Sequence, residues 1–256
     1  MLENKKGQLT IFIIIAVIII AAIIFLFWFF NRMTPITPPS AGENPQVNIE
    51  HCINSQVEKS VGKIMNNSGY VKKSNLTKNF DGKDIAYLCY TKSNYARCIV
   101  IEPVLIEHIE TEIYNDIKNK IDECFINLKT DLEKEGYSVT IESGMGFSIN
   151  LVPGDVETII NKKITITKAD ETRKFGEFKI NYHTPLYDMA IIIQNIVRQE
   201  SLYCNSEYTL IMRANPWIEI DKFQTGDDVK IYTLKDIKTK KEIKFAIRGC
   251  VLNTPS

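Results

Sequence analysis

Residues Leu9–Phe30 read LTIFIIIAVIIIAAIIFLFWFF, a run without a charge, a glycine or a proline. At 1.5 Å per residue such a helix reaches about 33 Å, enough to cross a hydrocarbon core of about 30 Å. A buried soluble helix seldom stays wholly apolar beyond about 14 residues. A secretory signal has a shorter apolar stretch and a small-residue cleavage site, and no such site follows here. The sequence therefore predicts one membrane-spanning helix over 9–30, with Trp28 as an interfacial aromatic. Lys5 and Lys6 precede the run, only Arg32 follows it closely, and the next lysine is Lys59. That asymmetry predicts a cytoplasmic leader over 1–8 and an outward-facing remainder.

All six cysteines (Cys52, Cys89, Cys98, Cys124, Cys204 and Cys250) lie after the apolar run. An even count in an outward domain predicts three disulfides, although six cysteines allow 15 pairings. None has the C-x-x-C spacing of a zinc or redox motif. Asn66-Asn67-Ser68 and Asn75-Leu76-Thr77 are glycosylation sequons, which makes Asn66 and Asn75 candidate acceptors. With 31 basic and 31 acidic residues the net charge is zero, so nothing in the charge balance points to nucleic acid.

Lys5-Lys6-Gly7-Gln8-Leu9-Thr10, set directly before an apolar helix, resembles the archaeal class III signal of type IV pilin-like preproteins. The resemblance implies a prepilin-type peptidase that cuts between Gly7 and Gln8 and leaves the helix on the mature chain. Phe12 stands where pilin subunits of this kind usually carry a Glu. Further on, Cys52, Gly69-Tyr70, Cys124 and Ile243–Ile247 are similar to landmarks of uncharacterised single-pass anchored surface proteins of small-genome archaea. That second resemblance implies an address and an architecture, not an activity.

Residues 31–47 hold Pro35, Pro38, Pro39 and Pro45, which favour polyproline II and predict a stalk up to roughly 45 Å long. The extracytoplasmic domain is expected over 48–256. Ile49, Ile53, Val57, Val61 and Ile64 mark one face of a helix that stops near Asn66, Asn67 and Gly69. Ile85–Tyr90 and Arg97–Ile101 read as a hairpin, which brings Cys89 to Cys98. Pro103 opens a long helix over Val104–Glu135, with a stripe from Leu105 to Leu132 and a stop at Gly136. Packing its stripe on the first helix brings Cys52 to Cys124.

From Tyr137 to Tyr182 the period changes to two, with turns at Val152–Asp155 and at Asn161-Lys162-Lys163. Thr184-Pro185 has N-cap and N1 character for a third helix to about Glu200. Strands return at Trp217–Ile220, Val229–Leu234 and Ile243–Ile247, flanked by the remaining pair, Cys204 and Cys250. The expected fold is α+β: helices packed on a largely antiparallel sheet, one unit with an optional sub-boundary near residue 136.

No cofactor or metal motif is legible. His51, His108 and His183 are too few and too scattered for zinc, and His108 is placed on the polar side of the long helix. Ser201 and Ser143-Gly144-Met145-Gly146 lack a nucleophile elbow and a phosphate cradle. Glu107, Glu110, Glu112, Asp131, Glu133 and Glu135 alternate with lysines and read as a solvated face. Gly226-Asp227-Asp228 reads as a β-turn, without the ladder of a calcium loop.

Three functional classes remain. The first is a membrane-anchored cell-surface structural or adhesion protein, pilin-like as a sub-case, whose partners are the lipid bilayer, itself or other surface proteins. The second is an anchored binding module or envelope-assembly factor for a soluble ligand, glycan or protein, which requires a concave apolar pocket with a few polar groups. The third, an outward hydrolase, requires a His, a carboxylate and a Ser or Cys in one cleft.

Overall fold

A computed structural model describes residues 15–25, 44–144 and 146–252. They belong to two units, Met1–Asn44 and Pro45–Ser256. In the first, residues 15–25 form an exposed helix, α1. The rest of the apolar run, the leader with Gly7 and Gln8, and the stalk up to residue 43 lie outside the described residues. Among the described residues no helix is long and apolar enough to cross a membrane.

The second unit is α+β. Helix α2 (Pro45–Asn66) begins on a proline, whose fixed φ and missing N–H suit a first helical turn. Residues 45–47, assigned to the stalk from sequence, thus belong to this helix. The stripe Ile49, Ile53, Val57, Val61 and Ile64 is buried, as is the stripe of α3 (Leu105–Lys134) from Leu105 through Ile113 and Ile121 to Leu132. The two helices pack together. Cys52 joins Cys124 across them, with Cα atoms 5.9 Å apart. Lys63 Nζ lies 2.8 Å from Asp116 Oδ1 and ties the same pair. Helix α3 ends where Gly136 takes φ +85° and Tyr137 N–H donates back to Leu132 O at 3.0 Å.

The strands form two sheets rather than the one expected. One contains β1 (Thr77–Phe80), β2 (Lys83–Tyr90), β3 (Ile99–Val100), β8 (Ile218–Gln224), β9 (Lys230–Asp236) and β10 (Glu242–Arg248). Its order is β1-β2-β10-β9-β8, with β3 also beside β2. Strand β10 runs parallel to β2, a pairing between distant segments that no local turn signals. The other sheet is built on β6 (Asp155–Lys168). It pairs with β4 (Ser138–Ile141) and β5 (Gly146–Val152) along one side, and with β7 (Glu171–His183) along the other.

The turn expected at Asn161-Lys162-Lys163 is instead a β-bulge inside β6, where the register against β7 shifts between Asn161 and Ile164. Val156, Ile160, Ile164 and Ile166 keep one parity and are all buried, so the strand runs through. Lys162 is accommodated because its Nζ reaches Asp122 at 3.1 Å.

Helix α4 (Leu186–Tyr203) touches β2 and β3 of one sheet and β5 and β6 of the other. Thr184 does not cap it: its N–H donates to Gly154 O, its hydroxyl has no partner, and Pro185 is the N-cap. A short helix, α5 (Tyr208–Ala214), follows. Residue 136 is a helix end within one compact unit, not a domain boundary.

Candidate functional site

Helix α4 buries Leu186, Met189, Ile193, Ile196 and Val197 against both sheets. Two further apolar residues off that stripe, Ile191 and Leu202, stay exposed. Between this outer flank and the segment running from β3 into α3 lies a groove of about 900 Å³. Val100, Pro103 and Leu105 line one wall, Ile191, Arg198 and Leu202 the other, and Leu88 lies at its base. Ile99, next to Val100, is 73% exposed.

Hydrogen bonds frame the groove at both ends of β3. Ser201 Oγ donates to Cys98 O at 3.1 Å, and Gln194 Nε2 donates to Pro103 O at 3.2 Å. Cys89–Cys98 clamps this segment to β2, with Cα atoms 5.4 Å apart. Gly249 packs on the same cystine, where a Cβ would meet the backbone N and Sγ of Cys98 at 3.0 Å. Strand β3 pairs with β2 on one side only. Ile101 N–H donates to Leu88 O at 2.9 Å, which makes Ile101 and Leu88 a hydrogen-bonded pair. Alternation along an antiparallel ladder then turns the N–H and C=O of Val100 away from β2.

The helical wall is pinned from behind. Glu200, on the buried side of α4, is 1% exposed. It accepts from Lys230 and from the Tyr232 hydroxyl, and Lys222 Nζ stands 3.3 Å away. Burial, then the hydrogen bond to Glu200, pushes the Tyr232 hydroxyl far above its ordinary range. Lys230 Nζ also donates to Cys204 O at 2.6 Å. Cys204 ends the helix in the left-handed region at φ 60° and is joined to Cys250. Gln199 Oε1 accepts from Glu207 N–H at 2.8 Å and from Ser206 Oγ at 3.2 Å, fixing the following turn.

At the rim, Glu102 accepts from the Tyr70 hydroxyl at 2.9 Å and faces His108 Nδ1 at 3.4 Å. The His108 ring packs edge-on against Tyr70, with centroids 4.6 Å apart. His108 is therefore not on a solvated face: its side chain is 18% exposed, and its Nε2 is buried without a hydrogen-bond partner. Burial, then Glu102, raises the Tyr70 hydroxyl. Ser201 and Glu102 both line the groove, but no hydrogen bond joins Ser201 to His108 among the described residues. The Ser201 hydroxyl donates to Cys98 O instead.

The other sequence candidates are dispersed. His51 is exposed on α2, and exposed His183 pairs with Asp155 across β6 and β7. Glu110 and Glu112 are only partly solvated: each accepts a backbone N–H at 2.7 Å, from Leu151 and Val71 respectively. Glu107 is exposed, Asp131 pairs with Lys134, Glu133 with Lys129, and Glu135 O accepts from Lys168. Asp227 is held below its ordinary value by hydrogen bonds from Lys78 and then Thr225. Ser143 and Gly144 lie in the loop before β5, and Met145 is outside the described residues. Asn66 and Asn75 are exposed, but Ser68 of the first sequon is buried, its Oγ accepting from Ala86 N–H. Among the described residues no group of three or more His, Cys, Asp or Glu is placed to hold a metal.

No protein-family model matches the chain, no curated protein is similar to it in sequence, and no solved structure is similar to it in fold. The groove was not named from sequence. Its one sequence signal is the pair Ile191 and Leu202, apolar residues off the buried stripe of an otherwise amphipathic helix.

Proposed function

We propose that this chain is a membrane-anchored surface interaction protein that holds its domain outside the cytoplasm and docks a partner macromolecule in the groove between α4 and β3. The observation that carries the reading is the groove itself: apolar walls, exposed Ile191 and Leu202, and a few polar groups along the rim. Contiguous apolar surface rimmed by polar residues is characteristic of interaction sites on soluble domains. Both walls are fixed before any partner arrives, one by Cys89–Cys98 and the other by Glu200 and Cys204–Cys250. Preorganisation of this kind lowers the ordering cost of binding.

The address rests on the uncharged run Leu9–Phe30 and on three disulfides, which persist in oxidising surroundings. Under this reading the helix stays in the bilayer after any peptidase cut between Gly7 and Gln8. Filament assembly is a sub-case. The other binding reading, capture of a small soluble ligand, is favoured by the groove volume, which falls within the small-molecule range.

The test is a photo-crosslinking amino acid placed at Leu202 in intact cells, with a control at Ile126, exposed on α3. Adducts with another macromolecule at Leu202 and not at Ile126 are expected. Equal adducts at both positions, or none at Leu202, would overturn the docking assignment.

A further inference from the structure

We infer that the occupant of the groove is an extended polypeptide segment of a partner protein, which adds a strand beside β3 and sets a carboxylate against Arg198. The inference rests on the docking reading above and names its ligand chemistry.

The first argument is the state of the sheet edges. Strand β7 is also an edge, but it carries Glu171, Arg173, Lys174, Glu177 and Lys179, the charges that keep an edge from recruiting another chain. Strand β8, the edge at the far end of the other sheet, carries Glu219, Asp221 and Lys222. Strand β3, Ile99 and Val100 followed by Ile101, has no such defence. The uncharged edges β4 and β5 of the other sheet lie against α3, where Glu110 accepts the Leu151 N–H. The carbonyls flanking it, Cys98 O and Pro103 O, are already taken by α4. The main chain left open between them is that of Val100, which lines the groove with its N–H and C=O turned from β2. A strand edge facing a helix across an apolar groove is a recurring site for strand addition. Backbone hydrogen bonds there give affinity, and pockets for alternate side chains give specificity.

The second argument is charge. Two charged residues line the groove, Glu102 and Arg198. Glu102 is engaged by Tyr70 and His108. Arg198 is exposed and makes no ion pair among the described residues. The free charge in the groove is thus a guanidinium, whose planar fork suits a carboxylate. The complementary segment has apolar side chains at alternate positions and an Asp, a Glu or a chain terminus within reach of Arg198.

The test is selection of a random peptide library displayed on phage against the full chain in lipid nanodiscs. Binding of the leading peptides is then measured in free form. Enrichment of alternating apolar sequences that carry an acidic group is expected. R198E should weaken their binding by about tenfold or more, the loss of one charge-assisted contact. N-methylation of alternate peptide amides should abolish binding with no change to the protein. Val100→Pro should do the same. Its lost N–H pairs with nothing in the native sheet, so no ladder hydrogen bond is removed.

A pool without alternation or acid, binding insensitive to both R198E and N-methylation, or no enrichment above that obtained with a Leu202→Arg chain would overturn the inference. If that happens while crosslinks remain specific to Leu202, strand addition falls and docking stands. If both fail, the docking reading falls with it.

Discussion

Glu200 is the residue on which the groove wall depends, and nothing in its local sequence marks it. In Arg-Gln-Glu-Ser it reads as a polar helix position. Its partners Lys222, Lys230 and Tyr232 come from β8 and β9, and period-two patterning gives the faces of those strands but not their neighbours. Removing one member of a buried ion pair leaves an uncompensated charge, which costs about 3–5 kcal/mol. Glu200→Ala should therefore lower stability by about that amount in chemical denaturation followed by tryptophan fluorescence. The double change to methionine at 200 and 230 should recover most of the loss, since neither charge then remains buried. Equal losses in both variants would contradict the assignment. Lys162 was misread for the opposite reason: Asn-Lys-Lys looks like a turn, yet Asp122 on α3 receives the lysine and keeps it in the strand.

Among the elements, the two long helices were legible because their apolar residues recur every three or four positions over many turns. What lay beyond local sequence was lateral: the β2–β10 pairing, the separation into two sheets, and the bulge in β6. The α2–α3 pair gives two measurable outcomes. In the chain-entropy account a disulfide stabilises more as its loop lengthens. Cys52–Cys124 spans 72 residues and Cys89–Cys98 spans 9. Replacing both cysteines by alanine should cost about 4 kcal/mol for the first pair and about 2.5 kcal/mol for the second. The reverse order would contradict the account.

Asp116 links the same helices through Lys63 and also pairs with Lys120 on its own helix. Burial works against its charged form, but hydrogen bonds from the two lysines outweigh burial and hold its carboxyl below the ordinary value of 3.8. A carboxyl depressed on folding stabilises fully above its unfolded value, and that contribution fades as pH falls through the lower, folded one. Asp116→Asn should cost about 1 kcal/mol near neutral pH and progressively less below pH 4, read from denaturation midpoints across that range.

At the scale of the molecule, α4 is the joint between the two sheets, and its outer flank is what remains for a partner. Fold class was readable from the change of period along the chain. The groove was not, because it forms only where the segment from β3 to Pro103 meets α4, and the two are far apart in sequence. A change confined to its exposed flank should separate function from stability. Leu202→Asp should shift stability by no more than about 0.5 kcal/mol, as surface substitutions do, while abolishing binding of the selected peptides.

The central claim is that this domain stands outside the cytoplasm on its own helix. The most direct measurement treats intact cells with a membrane-impermeant amine reagent and maps the modified lysines by peptide mass. Exposed Lys72, Lys118 and Lys238 should be labelled while a cytoplasmic marker protein is not. Labelling of those lysines only after lysis would contradict the account.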